Sequence, residues 1–285
     1  MDPRIIDLYG TFTRGGVDRR EFLDRLAQLA GGTAAALALV PLLEDHYAMA
    51  QTIPEDDSRL AAESIQYDAA GTKMTGYLAR PKPAQKRPAV IVISENRGLN
   101  AHIRDVARRV ALDGFLALAP DPLSPLGGTP ADDAEAAKMI GSLNPADTVA
   151  RLAATVAFLA RHAESTGKVG AVGFCWGGGM VNQLAAAGTS LNAGVAYYGA
   201  QIPAANVPKI AAPLLLHYAS LDERINAGIA GYEAALKAGK KSYELYMYEG
   251  ANHAFNNDTN AARYNKEAAT LAWGRTIAFF RKHLA

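Results

Sequence analysis

Val169-Gly170-Ala171-Val172-Gly173-Phe174-Cys175-Trp176-Gly177-Gly178 is the stretch from which the architecture can be read. The apolar run up to Val172 has the continuous hydrophobicity of a strand buried on both faces. Gly178 to Ala187 is a segment of small residues that predicts a helix. Between them lies Gly173-x-Cys175-x-Gly177, a sharp turn that lifts a nucleophilic side chain off the end of a strand. The flanking glycines have a steric job, because a helix that passes so close to the strand leaves no room for side chains two residues either side of the nucleophile. Cys175 is the only cysteine of the chain. Alone, the turn reads more readily as an inert buried thiol in a Gly-rich loop, so the rest of the chain has to decide.

Working outward, apolar strands alternate with helical segments. Ser64 to Asp68 and Met74 to Ala79 read as a strand pair around Gly71. Ala89 to Ser94 is a buried strand, His102 to Leu112 a helix, and Phe115 to Ala119 a strand stopped by Pro120-Asp121-Pro122. Helices are expected over Ala131 to Ile140 and Pro145 to Arg161. Beyond the Cys175 turn, Ala193 to Tyr197, Pro213 to His217 and Tyr243 to Tyr248 are strands, with helices over Asn226 to Ala238 and Ala261 to His283. This alternation predicts an α/β fold: a mostly parallel, doubly wound sheet with helices on both faces. Ligands of such sheets bind beyond the carboxyl ends of the strands.

Three chemistry-bearing residues fall at those ends. Cys175 follows one strand, Asp222 follows the strand through His217, and His253 follows the strand ending at Tyr248. Nucleophile, acid, histidine is the chain order of the α/β-hydrolase fold, and the shared placement is harder to obtain by chance than any one member. Taken singly, Asp222 also reads as a helix cap. His217 lies inside a strand and reads as a packed residue. Glu95 ends the strand next to the elbow strand, in Ser94-Glu95-Asn96-Arg97-Gly98-Leu99. The loop there supplies one oxyanion donor, expected to be the N–H of Asn96, with the N–H of Trp176 as the other. Glu95 is either a carboxylate acting on the thiol or the partner of Arg97 or Arg104.

Glu95-Asn96-Arg97-Gly98-Leu99, Gly173-Phe174-Cys175-Trp176-Gly177-Gly178, the late Asp222 and Asn252-His253-Ala254-Phe255 together resemble the dienelactone hydrolase family, the carboxymethylenebutenolidases, over about residues 60 to 285. The resemblance implies an α/β-hydrolase fold, no metal or organic cofactor, and hydrolysis of a small ester or lactone through a thioester on Cys175. It implies that Glu95 controls the thiol; as the thiol's base it would accept the proton when substrate binds, and His253, oriented by Asp222, would serve the leaving group and the water. Arg97, Tyr198 and Phe255 are the expected substrate-lining residues. The sequence departs from the family pattern after the histidine, where His253-Ala254-Phe255-Asn256-Asn257 lacks the arginine that holds a substrate carboxylate, and Leu123 to Asn144 contains no arginine either. A preference for neutral substrates, or an anion held by Arg97, is therefore expected. The competing function is a non-catalytic binding or redox-sensing protein in which Cys175 is an oxidisable switch; such a protein needs neither Asp222 nor His253.

Lysine plus arginine total 29 against 28 acidic residues, a net charge of +1 that gives no reason to expect nucleic acid or an anionic membrane as partner. One cysteine excludes an intramolecular disulfide and any cysteine-rich metal site. Residues 1–57 read as a separate N-terminal arm and linker, and 58–285 as the hydrolase domain. Arg19-Arg20-Glu21-Phe22-Leu23, the apolar Ala30 to Leu43 and Ala48-Met49-Ala50 resemble a twin-arginine export signal with a cut site. The arm reads equally as a retained amphipathic segment of a cytoplasmic protein, through which a homodimer would form. Its apolar run falls short of the roughly 20 residues that a bilayer requires.

Overall fold

The computed structural model describes residues Ile5, Leu8, Phe12, 17–48 and 53–285. One eight-stranded sheet organises the chain, in the spatial order β1-β2-β4-β3-β5-β6-β7-β8. Its strands are β1 (Leu60–Ala69), β2 (Thr72–Pro81), β3 (Arg87–Ile93), β4 (Leu116–Pro120), β5 (Ser165–Phe174), β6 (Ala193–Tyr197), β7 (Leu214–Ala219) and β8 (Tyr243–Tyr248). β1 and β2 form an antiparallel hairpin and β2 pairs antiparallel with β4; every other pairing is parallel. From β3 the chain first steps to β4 and then returns to the other side of β3 as β5, so the sheet has its switch point between β3 and β5. A crevice opens at such a point, and Glu95 and Cys175 end the two strands that flank it.

The helices are α1 (Arg19–Ala30), α2 (Thr33–Ala48), α3 (Ala101–Leu112), α4 (Asp133–Ser142), α5 (Pro145–Ala160), α6 (Trp176–Ala185), α7 (Glu223–Asn226), α8 (Ile229–Ala238) and α9 (Lys266–His283). Period-two alternation divides each central strand between two cores. Val90 and Val92 join Ile103, Val106 and Val110 of α3 and Ile277 and Phe280 of α9, whereas Ile91 and Ile93 join Leu152 and Val156 of α5 and Val181 and Leu184 of α6. β4, β6 and β7 are buried along their whole length, as strands covered on both faces must be.

Some boundaries differ from expectation. β1 begins at Leu60 rather than Ser64, because Leu60 is buried and pairs with Pro81. The segment before it docks on α3 instead of running free: Ile53 N–H donates to Asp105 Oδ1 at 2.8 Å and the Arg108 guanidinium donates to Ile53 O at 2.8 Å. The helix expected from Asn226 to Ala238 is split into α7 and α8 around Gly228. α9 starts at Lys266 rather than Ala261, where the Asn265 side chain caps Ala268 N.

In the arm, Asp18 caps α1 through Glu21 N and Gly31 closes it in the left-handed conformation at φ 81°. Ile5, Leu8, Val17, Phe22, Leu26 and Ala36 form a small apolar cluster there. Among the described residues no helix is long and apolar enough to cross a membrane. Met49 and Ala50 of the expected cut site lie outside the described residues.

Candidate active site

Cys175 sits in a backbone conformation that side chains rarely adopt, φ 54° and ψ −113°, at the junction of β5 and α6. The glycines around it make that junction possible. A Cβ on Gly173 would lie 2.1 Å from the carbonyl oxygen of Gly177, and one on Gly177 would lie 2.4 Å from the carbonyl oxygens of both Ile93 and Ser94. The start of α6 is thus pressed against β5 and the end of β3, and the Glu95 charge is felt at the Cys175 sulfur. Cys175 N–H donates to Tyr197 O at 3.0 Å, tying the elbow to the end of β6 as well.

The residues at the carboxyl ends of β5, β7 and β8 converge. His253 Nε2 lies 3.0 Å from Cys175 Sγ, and His253 Nδ1 is hydrogen-bonded to Asp222 Oδ2. A carboxylate can only accept, so Nδ1 carries the proton, Nε2 presents its lone pair, and the thiol S–H donates to it. Asp222 is buried, and its other oxygen accepts from Ile225 N at 3.4 Å. The aspartate therefore caps α7 and orients the histidine at once.

Glu95 is wired differently from the expectation. Its Oε2 accepts from Asn257 Nδ2 at 2.8 Å and its Oε1 accepts from Tyr198 OH at 3.4 Å. The thiol's hydrogen bond goes to His253, so the acceptor in hydrogen-bond contact with Cys175 is the histidine and not Glu95. Neither arginine considered as its partner is one: Arg97 is paired with Asp133 at the surface, and Arg104 donates to Ser64 and stacks on the Tyr77 ring. Arg97 thus carries an already matched charge. Tyr198 and Phe255, expected to line the substrate, are both fully buried. The Tyr198 ring is 5.0 Å from that of His253 and 5.4 Å from that of Phe255, so the two aromatics form the packed floor under the histidine.

Burial first, and then the Glu95 charge, push the Cys175 thiol up to about 11; the backbone N–H of Trp176, which donates to the sulfur, and the positive charge of Arg224 oppose them. The resting thiol is therefore neutral at physiological pH. Asn257 and Arg224 are the site residues that sequence reasoning missed. Asn257 had drawn attention only as a position without a positive charge, and an amide carries no sequence signature of its own. Arg224 had a locatable signal, since it lies two residues beyond Asp222.

A mostly parallel sheet with helices on both faces, carrying this constellation at its carboxyl edge, is an α/β-hydrolase fold. The model of the dienelactone hydrolase family matches residues 74–284. A Saccharolobus solfataricus protein provisionally named a carboxymethylenebutenolidase is 34% identical over 256 residues, covering 77% of this chain and 98% of the relative. A Bradyrhizobium protein named "Probable 2-oxo-3-(5-oxofuran-2-ylidene)propanoate lactonase" is 32% identical over 239 residues, covering 79% of this chain and 96% of its own. Among solved structures, a provisionally named dienelactone hydrolase from Klebsiella pneumoniae superposes with a TM-score of 0.72 at 32% identity, over 78% of this chain and 99% of that one. The chain belongs to the dienelactone hydrolase family and is a hydrolase.

Proposed function

We propose that the protein hydrolyses small esters or lactones through a thioester on Cys175, with His253 as the proton carrier and Asp222 as its orienting acid. The observation that carries this reading is the 3.0 Å approach of His253 Nε2 to Cys175 Sγ with Asp222 bonded behind the ring. Sγ attacks the substrate carbonyl carbon while its proton passes to Nε2. The carbonyl oxygen becomes an oxyanion held by the N–H groups of Trp176 and Asn96, donors worth about 3–4 kcal/mol each in comparable sites. When the C–O bond breaks, the alkoxide takes the proton from Nε2; for a lactone it stays tethered, and the product is a hydroxy acid. His253 then takes a proton from water, the hydroxide attacks the thioester, and the departing thiolate recovers the proton.

Glu95 acts here by its charge. Its carboxylate adds to the effect of burial in holding the empty enzyme's thiol protonated and so less open to oxidation. The direct test is an acid-quenched reaction with p-nitrophenyl acetate, read by peptide mass spectrometry. An acetyl group on Cys175 that is absent from Cys175→Ala, together with loss of turnover in that variant, is the expected result. Turnover that survives Cys175→Ala would overturn the nucleophile assignment, whereas a wild type with no turnover and a readily oxidised Cys175 would favour the redox-sensing alternative.

A further inference from the structure

His217 is fully buried and takes no part in the chemistry above. Its two ring nitrogens are both engaged: Nδ1 with Tyr248 OH at 2.9 Å and Nε2 with Thr276 Oγ1 at 3.2 Å. The chain continues at either end. Arg275 Nη1 donates to Tyr248 OH at 3.1 Å, and Thr276 Oγ1 lies 2.7 Å from Tyr197 OH. Arginine has no acceptor. Tyr248 OH accepts from Arg275, and the one acceptor in contact with its own proton among the described residues is His217 Nδ1. In that arrangement His217 carries its own proton on Nε2 and donates it to Thr276, whose hydroxyl proton turns to Tyr197. Four buried polar groups thus form one continuous chain that starts from the half-buried Arg275 of α9.

The inner end of this chain is the floor of the elbow. Tyr197 O accepts the N–H of Cys175 at 3.0 Å, and a Cβ on Gly178 would stand only 2.7 Å from that same oxygen. The next residue, Tyr198, is held at φ 39° with its N–H on His217 O at 2.7 Å, and its hydroxyl reaches Glu95. A shift of Tyr197 would therefore carry the nucleophile's backbone and the Glu95 partner with it, since protein interiors are close-packed.

We propose that the directed chain Arg275–Tyr248–His217–Thr276–Tyr197 is a positioning device that fixes the end of β6 under Cys175, with His217 and Thr276 as positioning residues for the reaction. It rests on the Cys175 thioester reading above.

The test pairs Thr276→Val, which keeps the side-chain shape but leaves His217 Nε2 and Tyr197 OH unpartnered, with Thr276→Ser, which restores the hydroxyl. Misplacement of a reacting group by about an ångström reduces catalysis by about a hundredfold. Thr276→Val is therefore expected to lower kcat by at least about tenfold with KM nearly unchanged, and Thr276→Ser to recover most of it. Ring-15N NMR of the wild type, assigned by loss of the signal in His217→Phe, is expected to show His217 as the neutral Nε2–H tautomer. A kcat in Thr276→Val equal to wild type, or an Nδ1–H tautomer, overturns the proposal, and the NMR result stands even if Thr276→Val fails to fold. Failure of the thioester reading itself is distinguishable, because the wild type would then give no acetyl-Cys175.

Discussion

Asn257 presents its amide nitrogen, and not its oxygen, to Glu95. The direction is fixed by Thr259, whose N–H and hydroxyl donate to Asn257 Oδ1 at 3.0 and 2.6 Å, leaving Nδ2 to donate to Glu95 Oε2 at 2.8 Å. Asn257→Asp keeps the oxygen that Thr259 holds and turns a second carboxylate toward Glu95. Two carboxylates at that separation share a proton, and the pair loses it only above the ordinary carboxylate range. The pH profile of kcat/KM is expected to gain a new group there, with activity falling as the doubly charged pair forms. A profile identical to wild type would show that Asn257 does not govern Glu95.

Glu95→Gln removes a charge that holds the thiol up but not the burial that is the larger cause. The midpoint of iodoacetamide alkylation against pH is therefore expected to fall below about 11 and still remain above that of an ordinary thiol, with faster alkylation at neutral pH. Turnover is expected to survive within about tenfold, since the proton goes to His253. A loss of a hundredfold or more with unchanged alkylation would restore Glu95 to the role of base.

The catalytic edge was legible because each of its strongest signals is local. The Gly173-x-Cys175-x-Gly177 turn announces a steric requirement, and Asp222 and His253 each follow an apolar run. The side chains that connect them were not. Asn257 and Glu95 are 162 residues apart, and Thr276 meets Tyr197 across 79. Such contacts depend on which neighbours the sheet order assembles, and no spacing encodes that. Tyr198 and Phe255 are a related case. An aromatic that follows a strand points either into the cleft or into the core, and spacing alone does not say which; both rings are fully buried here. β1 was cut short because an edge strand with exposed polar positions lacks a continuous apolar run.

His217 gives the fold a specific acid sensitivity. Burial first, and the Arg275 charge second, lower it from 6.5 to about 3. The ionisable and charged neighbours that face it are Tyr197, Tyr246, Tyr248 and Arg275, none of which supplies a negative charge to rescue a cation. The unfolded chain protonates this histidine below pH 6.5 while the folded chain refuses the proton. Its contribution to stability is therefore fully present above 6.5 and is lost as pH falls toward 3, at up to about 1.4 kcal/mol per pH unit. His217→Gln, measured by urea unfolding from pH 7 to 4, is expected to be less stable than wild type at pH 7 but to lose less stability on acidification. Parallel slopes in the two proteins would mean that His217 titrates normally.

The last prediction concerns substrate charge. Arg97 is paired with Asp133, whereas Arg224 is exposed, makes no ion pair among the described residues, and exerts a positive field at the Cys175 sulfur. A substrate carboxylate near the thiol would therefore meet Arg224 and not Arg97. One charge-assisted pair gains about 1.5–3 kcal/mol, a tenfold or greater preference when water is excluded and less at an exposed site. For matched carboxylate-bearing and neutral esters, Arg224→Gln is expected to lower the ratio of their kcat/KM values several-fold, and Arg97→Ala to leave it unchanged. The wild-type ratio should also fall at about 1 M salt, where screening shortens the reach of a charge to about 3 Å. A ratio that responds to Arg97→Ala and ignores Arg224→Gln would move the anion site back to the loop after β3.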